Sequence, residues 1–336
     1  MKSKFTNFYV KLSFYLTVFI GLSASNAFAQ GFAGGKTYVV NGQVDQVAPI
    51  DTFVNLSGTG NSGAITYLNT FGIDVTQSQG TVTILLDQGY SGIEPSSIQV
   101  GATTGAGYPN MSATRPVVLK PNAGLSFTIS TAAVIAPNGS LFRIFGSTNF
   151  TIDGNSGNNQ RSLTFSMGTS TTSTARVIDI IPASGAASNR IRNVSIMNCN
   201  VVGNSTATAI NTYAGIYFGG STATPQNSAI GTNYNISYVN NLILAVQNGI
   251  YHRGFPTNST AFPSQDTGIN VVNNIIGNYS NPINATNFAG IGGTGSNLSG
   301  IYLQTVSNST ISGNVVRNTL PLTIANVNGG FAAIRL

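Results

Sequence analysis

The groups in this chain that could do chemistry are few. One histidine, His252, sits in "NGIYHRG" (248–254), one cysteine stands at Cys199, and the carboxylates number eight. These eight are Asp45, Asp51, Asp74, Asp87, Glu94, Asp153, Asp179 and Asp266. A single cysteine excludes an internal disulfide framework, and one Cys with one His excludes zinc sites built from those ligands. Hydrolysis of a glycosidic bond normally takes two carboxylates flanking the bond. Here no DD or DxD pair occurs, and no two carboxylates fall on matching positions of the repeat described below. The alternative catalytic set is Asp153, Asp179 and Arg176, with Arg143 a further possible partner, and the two acids lie on different elements. No acidic cluster marks a metal site. No cofactor is expected; calcium is possible, without a clear ligand cluster to support it.

Those side chains are placed by a repeat. "GIYF" (215–218), "GIYH" (249–252) and "GIYL" (300–303) are near-copies, with looser copies at "LFRI" (141–144), "VIDI" (177–180) and "AIRL" (333–336). The copies return every 33–51 residues, as stacked arrays do. A second element follows the first five: "IDGNSG" (152–157), "IMNCNV" (196–201), "YVNNLI" (238–243), "VVNNII" (271–276) and "ISGNVV" (311–316). An apolar residue, an Asn/Gly pair and another apolar residue predict two short strands meeting at a corner, because Asn and Gly tolerate a left-handed backbone. Asn155, Cys199, Asn241, Asn274 and Asn314 share one slot in that alignment. The segments alternate with period two and are rich in β-branched residues, which excludes long helices.

Alignment of the first element sorts its columns. Phe142, Ile178, Ile216, Ile250, Ile301 and Ile334 form one; Ile144, Ile180, Phe218, His252, Leu303 and Leu336 form the next but one. Residues two apart in a strand share a face, so His252 occupies an apolar, inward slot and reads as a structural histidine. Cys199, at a small corner slot, reads likewise. The column between them, Arg143, Asp179, Tyr217, Tyr251, Tyr302 and Arg335, is expected to face outward. Its three tyrosines predict an exposed aromatic ladder able to stack on sugar rings; tyrosines that merely suit strands under long loops are the plainer reading. The ligand-binding set is therefore Tyr217, Tyr251, Tyr302, Arg143 and Asp179.

The ends and the composition set the context. Lys2, Lys4 and Lys11 precede the apolar run "LSFYLTVFIGLSA" (12–24) and the small-x-small site Ala27-Phe28-Ala29, which predicts a secretory signal peptide over 1–29. No transmembrane segment remains after its cleavage. Without those three lysines, 11 Lys and Arg stand against 8 Asp and Glu, and no basic run of a nucleic-acid binder occurs. Only 7% of residues are charged and 39 are Gly, a profile of an exported, turn-rich β chain. Sequons at 193–195, 235–237, 204–206, 258–260 and 308–310 follow from abundant Asn, Ser and Thr. "GAITYLNTFGI" (63–73) has helix-like spacing and predicts a cap over the open end of the stack.

"GIYLQTVSNSTISGNVVRN" (300–318) resembles the repeats of right-handed parallel β-helix proteins of the pectin-lyase-like superfamily. "SLFRIFGSTNFTIDGNSGNNQRSLTF" (140–165) resembles the opening coils of large secreted surface proteins of Bacteroidetes-type bacteria, and 80–92 and 115–124 fit their entry strands. The resemblance spans roughly residues 50–336. It implies a fold, and a choice among lyases, hydrolases, adhesins and inert scaffolds. The expectation is an all-β, right-handed parallel β-helix (solenoid) with a short N-terminal capping segment: signal peptide 1–29, lead-in and cap 30–75, helix 76–336, cut short at its C-terminus. The expected protein is a secreted or cell-surface monomer, a non-catalytic scaffold or adhesin-like module binding polysaccharide or surface glycans. A polysaccharide lyase or glycoside hydrolase is the alternative.

Overall fold

The computed structural model describes Gly35 and residues 37–44, 52–55, 79–94, 96–101, 111–131, 133–136, 139–157, 161–168, 174–182, 191–204, 210, 212–219, 233–254, 265–277, 291–292, 298–317, 319–320 and 332–336. The predicted signal peptide and the predicted cap at 63–73 lie outside these residues. Every named element is a strand, and the pairings between named strands are parallel. Three sheets run the length of the molecule. The first holds Val82–Leu86, Val117–Pro121, Thr148–Asp153, Arg192–Met197, Tyr234–Val239 and Asp266–Val272 in sequence order, then Val306–Ser307 and Thr310–Ser312. The second holds Ile93–Glu94, Phe127–Thr131, Leu163–Ser166, Cys199–Val202, Leu242–Leu244, Ile275–Ile276 and Val315–Val316. The third holds Ile98–Val100, Ser140–Phe145, Ala175–Ile181, Thr212–Phe218, Asn248–Arg253, Ser299–Gln304 and Ala332–Arg335.

Each coil thus contributes one strand to each sheet and the next coil stacks on it in register. This is an all-β parallel β-helix, with connections of the kind that are right-handed in nearly all proteins. Thr37–Val44 and Thr52–Asn55 also join the first sheet, so stacking starts upstream of residue 76.

Period-two alternation builds the core. Phe142, Phe150 and Phe165, one from each sheet, meet in the interior, with Phe142 edge-on to Phe165 at 5.5 Å. Ile178, Ile216, Ile250 and Ile301 stack above Phe142 in the third sheet, all fully buried. Each such side chain contributes about 1.5–3 kcal/mol by leaving water. Leu336 departs from the expected column: it follows the last strand and is 84% exposed.

The glycine of the GIY copies has a steric cause. A Cβ on Gly215, Gly249 or Gly300 would lie 2.4, 2.5 or 2.6 Å from Ile243 Cγ2, Ile276 Cγ2 or Val316 Cγ1 across the core. The corner before the second sheet also follows the residues. Asn198, Asn240 and Asn273 take φ of 56°, 52° and 56°, and Gly313 takes 64°. The following residue turns inward, where Asn241 Oδ1 accepts from Cys199 N–H at 3.0 Å, Asn274 Oδ1 from Asn241 N–H at 3.0 Å, and Asn314 Oδ1 from Asn274 N–H at 2.9 Å. The ladder therefore joins Cys199, Asn241, Asn274 and Asn314. Asn155 is not in it: the chain leaves the corner at Gly154 and returns at Ser162, and Leu163 is what pairs with Cys199. Gly154 stays at the corner itself, where a Cβ would meet the Asn198 carbonyl at 2.0 Å.

Candidate functional site

The third sheet carries the column expected to face outward, in the expected register. Arg143 pairs with Asp179, Asp179 with Tyr217, Tyr217 with Tyr251, Tyr251 with Tyr302, and Tyr302 with Arg335. Strand spacing brings the rings together. Tyr217 and Tyr251 stack at 5.1 Å and 9°, and Tyr251 and Tyr302 at 4.5 Å and 11°. The arrangement differs from an open platform. Tyr217 is 3% exposed, while Tyr251 and Tyr302 are half-buried. The stacked rings cover one another's faces, and the Arg176 guanidinium lies over Tyr217 at 3.8 Å. Tyr213, which the repeat alignment left out, tilts against Tyr217 and Tyr251 at 6.1 and 5.9 Å.

At the foot of this stack sits Asp179, wholly buried. Its Oδ2 accepts from Arg176 Nη1 at 3.1 Å and faces Arg143 Nη2 at 3.7 Å. Burial pushes its carboxyl up to about 6, against the opposing pull of Arg176 and Arg143. Burial also pushes the phenols up, that of Tyr217 to about 12, with those of Tyr213 and Tyr251 raised as well. Asp179 Oδ1, Arg143 Nε, Arg176 Nε and Ser140 Oγ are buried without a hydrogen-bond partner among the described residues. Ser140 lies in register with Arg176. Buried polar atoms left in this state are uncommon in folded proteins.

The catalytic set is only partly assembled. Arg176 and Asp179 meet, but Asp153 ends a strand of the first sheet, where its Oδ1 accepts from Asn155 N–H at 3.0 Å and Asn198 Nδ2 at 2.7 Å. It caps an asparagine ladder that continues through Asn240 Nδ2 to Asn198 Oδ1. Among the described residues no three His, Cys, Asp or Glu side chains group as metal ligands.

His252 is interior. It stacks on Phe218 at 4.1 Å and 8°, and its Nε2 lies 3.0 Å from Asp266 Oδ2. Asp266 Oδ1 accepts from Asn233 N–H at 3.1 Å and Asn233 Nδ2 at 2.8 Å. Asp266 Oδ2 accepts from His252 Nε2–H, which leaves Nδ1 to accept from Tyr238 O–H at 2.9 Å. All three side chains are fully buried. Tyr238 and Asp266 lie 14 residues to either side of His252, and only the fold joins them. Cys199 is also interior, its thiol raised by burial.

Two of the sequons belong to the coil itself. Asn193 and Asn235 take φ of 53° and 56°, and each is followed by an inward apolar residue and then by Ser195 or Ser237 on the outer face. Their amides are engaged, Asn193 Nδ2 donating to Asn149 Oδ1 at 2.8 Å and Asn235 Nδ2 to Asn193 Oδ1 at 3.1 Å. No helix among the described residues is long and apolar enough to cross a membrane. Comparison with family models, curated proteins and solved structures found no match.

Proposed function

We propose that this chain is an exported or cell-surface β-helix scaffold, adhesin-like and non-catalytic, that holds an extracellular glycan on the outer face of its third sheet. The pectin-lyase-like resemblance of its repeats is part of the same proposal. The observation that carries it is the tyrosine column, where the half-buried Tyr251 and Tyr302 repeat in register on the outer face above the buried Asp179 and its two guanidiniums. Sugars present dense donors and acceptors to such groups, and aromatic side chains with a polar tip suit a surface that is part apolar and part wet.

A second reading draws on Asp179, whose carboxyl is poised near 6 beside Arg176. A polysaccharide lyase or hydrolase could use it in proton transfer. It is the one carboxylate that the described residues bring to this face, and its burial keeps it from a polymer lying on that face, which counts against cutting.

The test incubates the exported protein with neutral and acidic polysaccharides and measures retention and newly formed sugar ends in the same tubes. Retention without new ends is expected. New ends that disappear in Asp179→Asn would replace the binding reading with the enzymatic one. Neither retention nor new ends would leave a scaffold that holds no glycan.

A further inference from the structure

A sugar ring that stacks on an aromatic side chain needs a bare ring face. Tyr251 has none, because Tyr217 covers one side and Tyr302 the other. Tyr217 has none either, with Tyr251 on one side and the Arg176 guanidinium on the other. What the column turns away from the sheet is ring edge and phenol hydroxyl. These hydroxyls are neutral, since burial raises the phenols of Tyr213, Tyr217 and Tyr251, and those of Tyr213 and Tyr251 hydrogen-bond each other, each oxygen keeping a lone pair to accept from a sugar hydroxyl. Tyr302 Oη shows this in-plane use, donating to Gln304 Oε1 at 2.8 Å. Arg143, whose side chain is 28% exposed, already faces Asp179 and is a weak attraction for a charged sugar.

Resting on the glycan-binding reading above, we propose that the column recognises a neutral, linear polysaccharide lying along the helix axis. Hydrogen bonds from its hydroxyls to the phenol hydroxyls of Tyr213, Tyr251 and Tyr302 hold it edge-on, without ring stacking. The parallel register repeats the phenols of Tyr251 and Tyr302 at the strand spacing, about 4.8 Å per coil, and Tyr213 places a third hydroxyl beside them. A polymer with hydroxyls recurring along its length meets several rungs, whereas a single sugar meets one. Affinity therefore rises with chain length, as linked weak contacts do.

The experiment measures binding of neutral linear glucans, mannans and xylans, as oligomers of increasing length and as polymers, with uronate polymers for comparison. The proteins are wild type, Tyr251→Phe, Tyr302→Phe, the double Phe variant and Tyr302→Ala. Far-UV circular dichroism melts check that each variant keeps its fold. The expected result is neutral-polymer binding that weakens roughly five- to ten-fold per hydroxyl removed, with melting unchanged. Phe variants that bind like wild type while Tyr302→Ala loses binding would overturn edge-on recognition in favour of stacking, and leave the glycan-binding reading intact. Preference for the uronate polymers would overturn the neutral class. Wild type that retains no glycan overturns this inference together with the reading beneath it.

Discussion

Replacing His252 with leucine tests whether the buried relay holds the coil. The shape is acceptable, because Leu303 fills the same column one coil on. The chemistry is not. Tyr238 O–H loses its acceptor at 2.9 Å and Asp266 Oδ2 its donor at 3.0 Å, both in a sealed interior. A buried hydroxyl left unpaired costs about 1–3 kcal/mol, and a buried carboxylate that loses one hydrogen-bond donor costs about 1.5–3 kcal/mol. The added apolar area offsets about 1–2 kcal/mol of this, for a net loss of roughly 3 kcal/mol within a span of about 1–5, a large share of a typical domain's margin. Removing the stranded hydroxyl and the buried charge should recover part of it, so His252→Leu combined with Tyr238→Phe and Asp266→Asn, which keeps the acceptor for Asn233, is expected to be more stable than His252→Leu alone. The assay is urea unfolding followed by far-UV circular dichroism. Hydrogen exchange over 248–253 and 266–272 accompanies it, because coils of a solenoid open locally. A single variant within about 0.5 kcal/mol of wild type, in the range of ordinary surface changes, would refute the assignment of stability to this relay.

Three further outcomes are expected. Asn274→Ala removes the acceptor of Asn241 N–H and Nδ2 and the donor to the Tyr238 carbonyl; a loss of about 2–4 kcal/mol should appear in urea midpoints, with faster amide exchange at Asn241. Gly249→Val puts a Cβ 2.5 Å from Ile276 Cγ2 and 2.4 Å from the Gly300 carbonyl, an overpacking cost of about 1–3 kcal/mol that melting will report. Burial raises the Asp179 carboxyl to about 6 from 3.8, so the folded state holds that proton more tightly than the unfolded chain does. Its stabilising contribution is then present below about pH 4, declines as pH rises to about 6 and is flat above. The stability of wild type minus that of Asp179→Asn should fall by up to about 3 kcal/mol over that window, and a difference independent of pH would contradict the burial argument.

The fold was legible in particular residues. Isoleucine recurring two places before an apolar or histidine slot, with glycine ahead of it, located the third sheet and the register of its column. The Asn pairs located the corner, except at Asn155, where the excursion through 155–162 breaks an alignment that sequence alone presents as regular. His252 was readable as interior from its column, but its partners Tyr238 and Asp266 were not, since their meeting depends on which sheets face each other inside the coil. Asp153 and Asp179 looked equivalent as acids, and the turn between sheets separates them.

The sequence by itself determined the strands, the stacking and the register of the columns, because period-two alternation and left-handed corners are local properties of the chain. Only the tertiary structure decided what the tyrosines offer. One-strand spacing presses their rings face to face, so identical residues in adjacent coils cover the surfaces that each alone would have exposed.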